Sequence, residues 1–279
     1  LAIATMASCS KEEGSGLKGE NVDVNFNGSI EMTTKAATAF TKAYNGVVGV
    51  ISSDAWVTDY DKVGLTIAAD GKLTPASDIY IPSATYTFTS VATDHTALPV
   101  RTTDAYPLVF GKVSDNATTG GDIVFATASK AVSKADKAVA LKYDHVYGQV
   151  TFAIAGTSGQ FTDAELNGAT IKVTGFIKGG TLDAKTGTIT NVAADTYTGE
   201  LDTRDVAYYA LPQEMDDTNF LTVEVTINSE KYTGTIKDVN GKIEPNKHKT
   251  ITITVGKSGL TFTGTLEEWA ATTGSGSAS

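Results

Sequence analysis

Residues 221–227 read Leu-Thr-Val-Glu-Val-Thr-Ile, apolar at 221, 223, 225 and 227 and polar in between. Successive side chains of an extended strand point to opposite faces, so this stretch has one dry and one wet side. Asn228-Ser229 is turn chemistry, and the alternation resumes at Tyr232–Ile236. A strand, a short polar turn and a second strand make a hairpin. Outward from it the same pattern repeats. Val139-Leu141-Tyr143, Val150-Phe152-Ile154, Ile171-Val173, Ile189 and Val206–Leu211 lie before it. Asn240-Gly241, Ile251-Ile253-Val255 and Leu260-Phe262 lie after it. Short strands at regular spacing, with turns between them, predict an all-β sandwich or barrel rather than alternating β and α.

The first half follows the same rule less cleanly. Val22-Asp23-Val24-Asn25-Phe26 alternates, and Gly46–Ile51, Lys62–Ala68 and Thr85–Val91 are further strands around turns such as Asp70-Gly71. Thr33–Tyr44 is rich in Ala, Thr and Lys without helix caps, and reads as an exposed connection, with a short helix as the alternative. Thr127–Lys137 (TASKAVSKADK) is polar and is expected to be the linker between two domains; Ala and Lys leave a helix open there. The expected domains are residues 22–129 and 137–269, with residues 270–279 a flexible tail.

Apolar residues at 41% and charged residues at 19% describe a globular chain, and 279 residues suffice for two cores without disulfides. Threonine is the commonest residue, which suits pleated, half-buried surfaces. A net charge of −10, without a basic stripe, argues against nucleic acid as a partner. The chain has one cysteine, Cys9. Residues 1–8 (LAIATMAS) read as the remnant of a signal peptide, and Met6-Ala7-Ser8-Cys9 is lipobox-like, so Cys9 is the expected lipidation site. Residues 9–21 then form a lipidated tether. The alternative is a free thiol in a loose terminus.

No constellation of catalytic residues stands out. His95, His145 and His248 sit in separate segments without metalloprotease or zinc spacing. Gly156-Thr157-Ser158-Gly159 is an ordinary turn, not a nucleophile elbow. Asp238, Asn240 and Gly241 are a fragment of a calcium loop better read as a hairpin turn, and Asp115, Asn116 and Asp122 are read as a solvated loop. Trp56, Trp269 and the tyrosines suit core and edge packing better than a sugar platform. The chain is therefore expected to be no enzyme, with no cofactor and no metal site.

Several segments together resemble the fimbrillin family of type V pilus subunits. They are TYTFTSVATD (Thr85–Asp94), GGDIVFATAS (Gly120–Ser129), VALKYDHVYGQVTFAI (Val139–Ile154), ALPQE (Ala210–Glu214) and PNKHKTITITVGKSGLTF (Pro245–Phe262) with Trp269 beyond. The resemblance implies two tandem transthyretin-like β-sandwich domains, lipoprotein export to the outer membrane and cell surface, and removal of an N-terminal segment. A neighbouring subunit's strand then fills the exposed groove. Val22, Val24, Phe26, Ile30 and Met32 have the alternation of the removable strand; a permanent first strand is the other reading. In the family's best-known system the cut follows arginine, but Arg101 and Arg204 lie too deep, so either Lys35 or Lys42 is the candidate cleavage site or a different protease is needed. A C-terminal donor would be Ile251–Val255 or Leu260–Leu266. The implied partners are other pilin subunits, self or sister, a lipid anchor before processing, and a host glycan or protein. A monomeric surface adhesin or glycan-binding lipoprotein is the alternative function.

Overall fold

The computed structural model describes residues 21–32, 35–38, 42–112, 121–191, 196–201, 206–216, 220–237 and 242–268. These residues are all-β, as the alternation predicts, apart from the short helix α1 (Asp163–Asn167). Strands are numbered in chain order. The largest sheet runs, in space, β3 (Lys35–Thr38), β2 (Asn25–Met32), β13 (Ala138–His145), β12 (Ile123–Val132) and β9 (Ala84–Thr93). It continues through β4 (Tyr44–Ser52), β6 (Val63–Ile67) and β7 (Leu73–Pro75), with β5 (Ala55–Trp56) paired to β4.

This sheet curls back on itself. Asn27 on β2 bridges Lys72, and the Gly28 N–H donates to the Gly71 carbonyl at 3.2 Å, so β2 sits at the seam of a barrel-like closure. The approach needs glycine at both positions. A Cβ on Gly28 would lie 2.2 Å from Leu73 Cδ1, and Gly71 has φ +84°. Inside are Val48, Val50, Ile67, Phe88, Leu141 and Tyr143, all buried. A separate pair, β1 (Asn21–Asp23) with β8 (Tyr80–Pro82), adds Val22 and Ile81 to the same core.

The second half builds another core between two sheets. One runs β11 (Gly111–Lys112), β19 (Ala207–Ala210), β14 (Gly148–Gly156), β24 (Lys247–Gly256) and β25 (Gly259–Glu268). The other runs β18 (Thr196–Leu201), β15 (Thr170–Ile177), β21 (Leu221–Ile227) and β22 (Glu230–Ile236). The opening hairpin is β21–β22, and its turn residues Asn228 and Ser229 have φ of 52° and 69°. That left-handed pair matches the twist of a tight hairpin. Phe152, Phe176, Val173, Val223, Ile251 and Ile253 fill the space between the sheets. α1 caps one end through Leu166, and its start is fixed by a capping box between Thr162 and Glu165. A minor pair, β20 (Gln213–Glu214) with β23 (Lys242–Ile243), completes the set.

Two findings change the expected organisation. Thr127–Val132 is not linker but the second half of β12, laddered onto Ala84–Thr89, and Ser133–Asp136 is its turn. Because β13 then returns into the first sheet, residues 138–145 belong with the first core, and the chain passes to the second at Val146-Tyr147. The halves also interlock. β10 (Ala105–Val109) leaves the first half to pair with β16 (Gly179–Asp183), itself paired with β17 (Ile189–Asn191), while β11 pairs with β19. Tyr106, Leu108 and Phe110 are thereby buried in the second core, with Phe110 stacked 4.5 Å from Phe176. The expected connection at Thr33–Tyr44 likewise contains the edge strand β3.

Candidate assembly site

The alternation at residues 22–26 becomes burial. Val22, Val24 and Phe26 are 2%, 3% and 5% exposed, whereas Asn21, Asn25 and Asn27 face out. Phe26 meets the Phe88 ring edge-on at 5.7 Å. The backbone is held on both sides. Val22 is opposite Ile81, the Val24 N–H donates to the Ile79 carbonyl at 3.1 Å, and Asn25–Ile30 run parallel to Ala138–Tyr143. This chain's own first strands therefore occupy a slot bounded by β13, β7 and β8. Ile30, Met32 and Lys35 continue the backbone in β2 and β3, but their side chains lie outside the described set. Cys9, residues 1–20 and residues 269–279, Trp269 included, also lie outside it.

Downstream of the slot lies a cluster that no local pattern revealed. Lys42 pairs with Asp94, whose other oxygen accepts the Asp122 N–H at 2.8 Å. Asp122 Oδ2 accepts the Tyr44 hydroxyl at 2.7 Å and lies 2.8 Å from His145 Nδ1. Burial opposes the Asp122 charge, but the imidazole, the Tyr44 hydroxyl and the Lys42 ammonium hold this carboxyl below the usual range. Tyr44 is pushed the other way, first by burial and then by Asp122, and stays a neutral phenol. Gly121 (φ +76°) makes room, since a Cβ there would lie 2.4 Å from Asp94 Oδ1. Asp122 reads from the sequence as part of a solvated loop; it is instead 2% exposed. Asp115 and Asn116 are outside the described residues, as are Asp238, Asn240 and Gly241.

The remaining candidates do not converge. His145 closes β13 and is buried, His95 is in the loop after β9, and His248 on β24 lies 2.9 Å from Thr151 Oγ1. Among the described residues no group of three or more His, Cys, Asp or Glu could hold a metal ion. Trp56 is half-buried between the cations of Arg101 and Lys185, at 5.3 and 5.4 Å from the ring centre.

Residues 19–269 match the family described as fimbrillin-like. The chain belongs to this family. The fimbrillin-like protein also shares its fold with solved structures. It is similar to a candidate cell adhesion protein from Bacteroides uniformis, with 18% identity, a TM-score of 0.67, and 90% of this chain and 99% of that one covered. A second such protein, from Bacteroides ovatus, matches at 14% identity and TM-score 0.65, over 90% and 99%. A fimbrial assembly protein from Parabacteroides distasonis matches at 12% and 0.54, over 89% and 96%. No curated protein sequence matches it.

Proposed function

We propose that this fimbrillin-like protein is a structural, non-catalytic subunit of a cell-surface pilus. It is exported as an outer-membrane lipoprotein through Cys9 and assembled by strand exchange once its first strands are removed. The observation that supports this reading is the burial of Val22, Val24 and Phe26 in the first core, on strands at the seam of the first sheet. Each buried side chain of this kind is worth about 1.5–3 kcal/mol, so losing three leaves a deficit on the order of 5–9 kcal/mol. A neighbour's strand of the same alternation recovers it and adds main-chain hydrogen bonds. Of the two candidate donors, Ile251–Val255 buries Ile251, Ile253 and Val255 from β24, which lies between β14 and β25. β25, which carries Leu260 and Phe262, pairs with β24 alone among the described residues and is the better choice.

The test is to trim purified protein between β2 and β4 with a lysine-specific protease and look for heat-resistant ladders on detergent gels and filaments by microscopy. Trimmed protein that stays monomeric sinks strand exchange. Mass spectrometry of the mature N-terminus from full-length precursor tests Cys9; an unmodified thiol behind an intact leader sinks lipidation.

A second reading, a monomeric adhesin for a host glycan or protein, has its own observation. An open groove of about 430 Å³ is lined by Val47, Lys62, Leu98, Arg101 and Tyr106, beside Val100, which is 82% exposed. A glycan array with wild type and Arg101→Ala tests it.

A further inference from the structure

We infer that Lys42 is not the processing site but a retained lid on a buried carboxylate pair, and that the productive cut falls upstream, at Lys35. This rests on the reading that the first strands are removed. Lys42 is half exposed, but the carboxylate it pairs with, Asp94, is 1% exposed. Asp94 in turn holds the Asp122 backbone, and Asp122 touches Tyr44 and His145 in the interior. The Lys42 ammonium is therefore the surface end of a charged chain that runs inward to His145. It also lies 6.0 Å from the centre of the Tyr44 ring.

A protease that recognises lysine must draw the ammonium into its own pocket. At Lys42 that means first breaking the pair with Asp94. A cut after Lys42 also sends the lysine away with the released segment and strands a buried carboxylate, one of the costlier losses a core can suffer. The damage falls on the β4–β9 ladder, where Asn45 is opposite Thr93, in the middle of the sheet that must survive the exchange. The Lys35 backbone lies in β3, an edge strand that among the described residues pairs with β2 alone. A cut there releases β1 and β2 whole and leaves Lys42 attached to β4.

The experiment uses the full chain. Brief native digestion with an endoprotease that cuts after lysine, read by intact mass, should yield a body beginning at Ala36 in roughly tenfold or greater excess over one beginning at Ala43, as expected for cleavage that needs local opening. A body beginning at Ala43 first, or resistance at Lys35, overturns the assignment. Separately, Lys42→Gln should lower the denaturation midpoint and Lys42→Arg should restore it. Equal midpoints for Lys42→Gln and wild type overturn the lid. A body beginning at Ala36 that never polymerises sinks strand exchange while leaving the lid intact, so the two failures are distinct.

Discussion

The indole N–H of Trp56 donates to Asp104 Oδ1 at 2.8 Å, across the join between the two cores. Trp56 belongs to β5 of the first sheet, while the Asp104 carbonyl accepts the Ala184 N–H at 2.6 Å, next to Lys185, whose ammonium is 3.1 Å from Asp104 Oδ2. Asp104→Ala should loosen this join and cost about 1–2 kcal/mol in urea unfolding. In a Trp269→Phe background the Trp56 emission should shift at the same time. The hydrogen bond from Trp56 leads in holding Asp104 below the usual range; burial opposes it, and Lys185 and Arg101 add to it. A depressed carboxylate adds stability above its unfolded value and loses it as pH falls through the folded one, so Asp104→Asn should flatten the acid limb.

Phe26→Ala removes the largest described side chain in the slot. It should destabilise the uncut protein by about 3–5 kcal/mol, the range for large core truncations. Val24→Asp should do at least as much by placing a charge there. Thermal unfolding of full-length protein checks both; unchanged midpoints would show that the first strands contribute nothing to the core.

Lys249 is buried, its Nζ donating to the Lys242 carbonyl at 2.5 Å, and burial pulls its pKa down to about 8 despite the nearby Glu244. The unfolded chain keeps that proton to higher pH, so stability should rise between about pH 8 and 10 as the folded form sheds it. Lys249→Met should abolish the rise. Above pH 10 the sign reverses. Burial raises Tyr44, Tyr143, Tyr147 and Tyr209, so the unfolded state ionises first and stability falls. Denaturant midpoints measured every half unit resolve both limbs.

Ser229 holds φ +69° at the β21–β22 turn, a region that glycine enters freely. Ser229→Gly should stabilise the protein by about 0.5–1 kcal/mol by relieving that strain. Calorimetry checks it, and a lower midpoint would refute it.

What could be read in advance was whatever local alternation encodes. Leu221–Ile227 and Val139–Tyr143 carry their faces in their own residues, and burial alternates there as expected. Val22, Val24 and Phe26 were legible for the same reason. Thr127–Val132 was not, because Ala, Ser and Lys have little strand preference of their own; the stretch is extended because Ala84–Thr89 supplies its ladder. The entry of Tyr106, Leu108 and Phe110 into the second core, and the pairing of Lys42 with Asp94, depend on partners far along the chain. No short-range pattern encodes such meetings.

The parallel pairing of Asn25–Ile30 with Ala138–Tyr143 also bears on the order of folding. Parallel contacts between distant segments form late, because the loop between them must first be organised. β4, β6, β9 and β12 pair antiparallel across smaller separations in sequence than β2 and β13, and can pair first. The first strand of the polypeptide is then the last to join its sheet. During that interval the seam between β13 and β7 is vacant, so the folding chain passes through a form in which its own strand has not yet filled the seam.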